Sequence, residues 1–258
     1  MAHKTRIEGT GYEISGGRVL VDATGYDISE GRTLVESTGY DISFGVEIST
    51  LPIGSSVYMN VNGVRTEFIV VHSGNPDGSQ YDSSCSGIWL LMKDVYEGRV
   101  WGSTDQNYST SAVHNYLNET FLELLDTDVQ GLISEVKIPY STNTSAAYGS
   151  NGVPTRIFLL SGWEIGWDAD DMPNTHADGV CLGYFKGITD NDRIAYYGGN
   201  PVAWFTRTCN PRISGAMWMC SANNGRPVSQ VAGAQSGIRP AMILPSTTKV
   251  STNGDILA

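Results

Sequence analysis

A 14-residue repeat opens the chain and restricts what its first part can be. Residues 10–23 read TGYEISGGRVLVDA, residues 24–37 read TGYDISEGRTLVES, and residues 38–45 (TGYDISFG) begin a third copy. A unit this short cannot enclose a hydrophobic core, so the copies must lean on each other or on another surface. Each copy carries an X-Gly pair (Gly16-Gly17, Glu30-Gly31, Phe44-Gly45) between β-prone runs, which is a hairpin signal. The spacing predicts strand 12–15 with 18–22, strand 26–29 with 32–36, and strand 40–43 with 46–49. A ribbon this thin is marginal alone in water. Residues 1–50 are therefore expected to anchor or oligomerise the protein. Leu51-Pro52-Ile53-Gly54 is expected to join them to a domain spanning 51–258.

The 258 residues suffice for that appendage and one domain of ordinary size. Hydrophobic residues reach 40% and charged residues only 17%, with 30 Gly, a balance that suits loop-rich β structure. The net charge is −11 and no window is strongly basic, so nucleic acid is not an expected partner. No apolar stretch approaches the ~20 residues of a membrane span. The opening MAHKTRIEGTGY has no apolar signal-peptide core, which points to synthesis and folding in the cytoplasm or to exit from the cell by a route other than secretion. Cys85, Cys181, Cys209 and Cys220 form no CxxC pair and are expected to be reduced.

In the larger part, 56–59 and 66–72 read as strands around an Asn62-Gly63 turn, with FIVVH the most β-like run. Ile88 to Met92 reads as a buried strand. Residues 108–125 predict a helix capped by Ser109, Thr110 or Ser111, with Val113, Leu117, Phe121, Leu124 and Leu125 on one face. A shorter helix capped by Asp126 or Asp128 runs to Ile133. Residues 156–160 read as a strand, and 204–244 as short β pieces between polar turns. The expectation is an α+β domain with two helices and much loop.

Catalytic motifs are absent: there is no GxSxG, no GxxxxGK[ST] and no GxGxxG. Spacing does not single out Glu164 and Asp168 as a glycosidase pair. Asp168, Asp170, Asp171 and Asn174 share a loop without EF-hand spacing, and His72, His114 and His176 are scattered. No catalytic residue, metal or cofactor is expected. The stretch from Trp204 to Ala241 is rich in Trp, Arg, Asn and Ser, side chains that suit recognition of sugars or protein surfaces. Trp204, Met217, Trp218 and Met219 can equally be core, and Arg207 and Arg239 can equally tie loops together.

Trp89-Leu90-Leu91-Met92-Lys93-Asp94, Leu117-Asn118 with Phe121, and Phe158-Leu159-Leu160-Ser161 resemble a domain of unknown function common in phages and prophages of Gram-positive gut bacteria. Trp204-Phe205-Thr206-Arg207, Gly225, Val228 and Gly237-Ile238-Arg239-Pro240-Ala241 resemble the end of C-type-lectin-like domains, including retroelement-diversified adhesins. The TGYxIS repeats are similar to the start of phage structural proteins. The resemblance implies a C-type-lectin-like domain behind a β-ribbon, in a virion protein assembled in the host cytoplasm. It implies attachment to other virion proteins through residues 1–50, a homotrimer, and a host-surface glycan or protein as ligand. Carried onto this chain, the ligand face comprises Trp204, Arg207, Asn210, Arg212, Ser214, Trp218, Asn223, Asn224 and Ser229. The alternatives are a capsid decoration, head fibre, collar or baseplate protein without a receptor, and a cell-wall glycan-acting enzyme. Neither nucleic acid nor membrane is expected as a partner.

Overall fold

The computed structural model describes residues 45–102 and 106–258, together with the backbone of six strands ahead of residue 45. The chain divides into two units, Met1–Gly45 and Val46–Ala258. In the first, His3–Ile7, Thr10–Ser15, Arg18–Val21 and Thr24–Asp27 form an antiparallel sheet in chain order, and Arg32–Val35 pairs with Thr38–Asp41. Lys4 faces Glu13, Arg18 faces Asp27, and Arg32 faces Asp41. Ile7, Val21 and Val35 likewise face Thr10, Thr24 and Thr38. One hairpin is thus laid down every 14 residues, beginning at Lys4, ahead of the first TGY copy.

The expected pairing of 12–15 with 18–22 has its counterpart in Ile14 opposite Val19 and Ser15 opposite Arg18. The others differ. Arg32–Val35 pairs forward with Thr38–Asp41, and Val46–Glu47 pairs with Lys249–Val250 in the second unit. Of the three X-Gly pairs expected in the repeats, only Gly45 falls within the described residues.

The second unit is β-rich, which corrects the expected α+β, two-helix, C-type-lectin-like arrangement. Its largest elements are two five-stranded sheets. The first runs in the spatial order Ile157–Phe158, Ala241–Leu244, Ile88–Met92, Val64–Ser73, Ser56–Val61, all antiparallel. The β-branched run within Val64–Ser73 suits a central strand, and Asn62 (φ 51°) and Gly63 (φ 73°) form the tight turn before it. The second sheet runs Glu97–Val100, Gln235–Ile238, Trp204–Cys209, Ala216–Cys220, Pro227–Val231. There Trp204 pairs with Gly237 in parallel. Smaller ladders fill the remainder, and one continuous apolar core joins both sheets.

Helix is scarce because the apolar segments are taken up by ladders. After a 3-10 turn at Tyr108–Thr110, Ser111 caps the helix Ala112–Tyr116 by accepting from the His114 amide at 3.1 Å. The helix continues as a π-turn over Leu117–Phe121. Val113, Leu117, Phe121 and Leu125 are all buried, and their strict four-residue spacing drifts around an α-helix unless a wider turn corrects it. Asn118 sits in the π-turn. Its amide donates to the carbonyls of His114 (3.0 Å) and Ile157 (2.9 Å), and its Oδ1 accepts from the Arg156 amide at 2.8 Å. The second expected helix is six residues, Thr127–Leu132. Its N-cap residue, Asp126, makes no capping bond and accepts instead from Asn60 at 2.8 Å.

Candidate functional site

The nine side chains carried over from the C-terminal motif separate by burial. Trp204, Arg207, Asn210 and Trp218 are interior. The Trp204 indole donates to the Arg193 carbonyl at 3.1 Å, and the Trp218 indole to the Thr175 hydroxyl at 2.9 Å. Asn210 donates to Ser229 and accepts from the Arg212 amide at 3.0 Å, so it shapes a loop rather than facing solvent. Ser229 is half-buried by the same bond. Arg212 and Ser214 are exposed in that loop, and Asn223 and Asn224 are exposed in the next. The structure therefore corrects the expected ligand face at Trp204, Arg207, Asn210 and Trp218, whose side chains are spent on the interior. Sequence reasoning missed Gln106, a buried amide that donates to the carbonyls of Asn210 (2.6 Å), Ile213 (3.0 Å) and Ala216 (2.7 Å).

Arg207 is the centre of a wholly buried polar network. Its guanidinium meets Glu164 in a bidentate pair at 2.6 and 2.5 Å, with both side chains 0% exposed. It also donates to the carbonyls of Pro139 (2.7 Å), Leu159 (2.9 Å) and Asp178 (2.8 Å). The Tyr81 hydroxyl donates to Glu164 at 2.8 Å. The Asp178 carboxyl accepts from Ser141 (2.9 Å) and Thr208 (2.8 Å). Burial pushes the Asp178 carboxyl up to about 6 against the opposing pull of Arg207. Charges sealed from solvent cannot meet a substrate, so this network is structural.

All four cysteines are free thiols. Burial pushes Cys85, Cys209 and Cys220 up to about 12, which holds them as protonated thiols. Asp168 accepts from the amides of Asp170 (2.9 Å) and Asp171 (3.1 Å), closing its own turn. Among the described residues no group of three or more His, Cys, Asp or Glu is arranged to hold a metal ion.

A cleft of about 430 Å³ opens elsewhere, where the chain crosses between the two large sheets. One crossing is 93–96, between Ile88–Met92 and Glu97–Val100. The other is Arg239-Pro240, between Gln235–Ile238 and Ala241–Leu244. The Gly-Ile-Arg-Pro-Ala motif is this corner. Arg239 is buried, and its Nε and Nη2 donate to the carbonyls of Met92 (2.8 Å) and Lys93 (2.7 Å). The Met92 amide donates to the Pro240 carbonyl at 2.8 Å and the Tyr96 amide to the Ile238 carbonyl at 2.9 Å. A Cβ on Gly237 would lie 2.8 Å from Val95 and 2.9 Å from the Ala203 carbonyl, so this approach requires glycine.

The cleft wall is completed by 61–67 and flanked by the hairpin of Ala195–Tyr197 with Asn200–Val202. Asp94 accepts from the Tyr196 amide at 2.9 Å, and the Val95 amide donates to the Tyr196 carbonyl at 3.0 Å. Glu67 accepts from Lys93 (2.9 Å) and Ser56 (2.5 Å). Burial opposes its charge, but Lys93 and Ser56 hold the carboxylate below its usual range. Arg65 pairs with Asp255 at 2.6 Å and lies 3.6 Å over the Tyr58 ring. Burial, with the neighbouring Glu97, raises the Tyr96 phenol; Tyr197 adds to the rise. Met92, Lys93 and Asp94 end the Trp89–Asp94 string and Asn62 belongs to the Asn-Gly turn, while Arg65, Glu67 and Tyr96 carry no sequence motif. The Gly-Ile-Arg-Pro-Ala corner leads to the rest.

The family model of a domain of unknown function, DUF6273, matches residues 86–246. The chain belongs to that family. The match lies within the second unit and holds Arg207 with its partners Glu164 and Asp178, and both sheet crossings. Residues 61–67, the other wall of the cleft, lie outside it. No curated protein and no solved structure matches the chain.

Proposed function

We propose that this chain is a virion structural protein of the fibre or adhesin type. Its first unit attaches or oligomerises it, and its second unit binds the host cell surface. The observation that carries the reading is the two-unit build. Hairpins of identical register, one every 14 residues, precede a separate β-rich unit with its own core. Thin hairpins gain most when several copies bury one another, and three chains around an axis is the assembly expected of this unit. The second unit supports the binding role by keeping its strongest charge centre internal and presenting polar loops and a cleft at its surface.

Two measurements test this reading. In light scattering, the full chain should have three times its monomer mass and residues 46–258 the monomer mass. A monomeric full chain overturns the trimer. Mass spectrometry of particles purified from a culture that makes this chain should find it among the particle proteins. Its absence from them overturns the virion placement.

A further inference from the structure

We propose that the cleft at the sheet crossing binds a neutral saccharide of about one or two rings, a size within the ~300–1,000 Å³ of small-ligand pockets. The proposal rests on reading the second unit as a binding domain and is independent of the virion placement.

Three observations carry it. First, the cleft is preorganised. Its 92–96 wall is fixed by Arg239, by the Pro240 and Ile238 carbonyls and by the Tyr196 backbone, so little ordering cost remains at binding. Second, its ionic groups balance. Arg65 and Lys93 stand with Glu67 and Asp94 among the lining residues, and Lys93 is paired with Glu67. A charged ligand would compete with that pair. A polyol can use the remaining donors and acceptors of both signs without breaking it, through charge-assisted bonds in fixed directions. Third, apolar surface lies beside these groups. Val64 is 64% exposed at the cleft and Tyr96 lines it, whereas Tyr196 and Tyr197, on the hairpin bonded to Asp94 and Val95, lie outside the lining. Aromatic rings with a polar tip suit the C–H face of a pyranose.

The test is saturation-transfer NMR on the full chain with glucose, galactose, N-acetylglucosamine and its β-1,4-linked disaccharide. At least one should receive saturation at its ring protons. That signal should fall at least tenfold in Lys93→Ser and in Val64→Glu. Val64 is exposed, so Val64→Glu decides the matter should Lys93→Ser fail to fold. The proposal is overturned if none of the four sugars receives saturation, or if the signal persists at full strength in the folded variants. Binding to purified Gram-positive cell walls separates the two readings. Wall binding by a protein that takes up none of the four sugars sinks the cleft and leaves the binding-domain reading standing. A sugar signal without wall binding keeps the cleft and overturns the host-surface role of the second unit.

Discussion

The second unit holds two ionic clusters of similar composition and opposite placement. Around Arg207, a bidentate pair to Glu164 and a neighbouring Asp178 lie wholly inside. At the sheet crossing, Lys93 with Glu67 and Arg65 with Asp255 lie at the surface, with Lys93 50% and Arg65 49% exposed. The same chemistry does different things in the two places. Inside, every charge must be met by the fold, so the network binds segments distant in sequence to one another. Outside, water shares each charge, so the pairs add little to stability and stay available to a ligand.

The contrast is broken most sharply at Arg207. Arg207→Met leaves Glu164 buried without its cation, and three carbonyls lose their donor. The expected loss is about 3–5 kcal/mol in a denaturant melt. Adding Glu164→Gln should recover part of that loss by removing the stranded charge. A loss below about 1 kcal/mol would mean that water reaches the network.

A second effect concerns the unit boundary. Residues 46–50 were expected to belong with the repeats, yet Ile48 is fully buried and its amide donates to the Thr248 carbonyl at 2.8 Å. Residues 46–258 should therefore melt cooperatively. Starting at residue 51 should cost at least the burial of one isoleucine, about 1.5–3 kcal/mol. Equal melts for the two fragments would show that the clasp of Val46–Glu47 against Lys249–Val250 contributes nothing.

These two cases also show what could be read from the sequence. The Asn62-Gly63 turn, the FIVVH strand, the strand Ile88–Met92 and the capped start of the helix near Ser111 all follow from local chemistry. The interior fate of Arg207 does not, because Glu164 lies 43 residues earlier and nothing local announces their meeting. Trp204 and Trp218 are ambiguous for the same reason: an indole suits a sugar or a core equally, and only the sheet's position decides. The cleft was hidden because it forms where two strands change sheets, a property of topology.

Asp178 gives a pH-dependent version of the contrast. Its folded value, raised to about 6, exceeds that of the unfolded chain, so the folded state holds the proton more tightly between the two. Its contribution to stability is therefore full at low pH and is lost as pH rises through about 6. Half-buried His72 and His114 are shifted down and act in the opposite sense, losing stability as pH falls below their ordinary value. Comparing the parent with Asp178→Asn isolates the carboxyl. From pH 5 to 7 the parent should lose about 1 kcal/mol relative to the variant. Parallel curves across that range would place the Asp178 titration elsewhere.

The smallest effect is the most discriminating. Lys93→Ser breaks the Lys93–Glu67 pair, but both partners reach solvent, so the expected change in stability is only about 0–1 kcal/mol. Salt should reduce even that, since an exposed pair is screened. Removing Lys93 also tips the balance of the cleft toward negative charge and withdraws a donor from its rim. A small stability change together with a large loss of saccharide signal would separate the two clusters by function as cleanly as they are separated by burial. A loss of several kcal/mol would instead mean that the 93–96 crossing depends on its surface pair, and that Arg239 and the backbone bonds around it do not hold the corner alone.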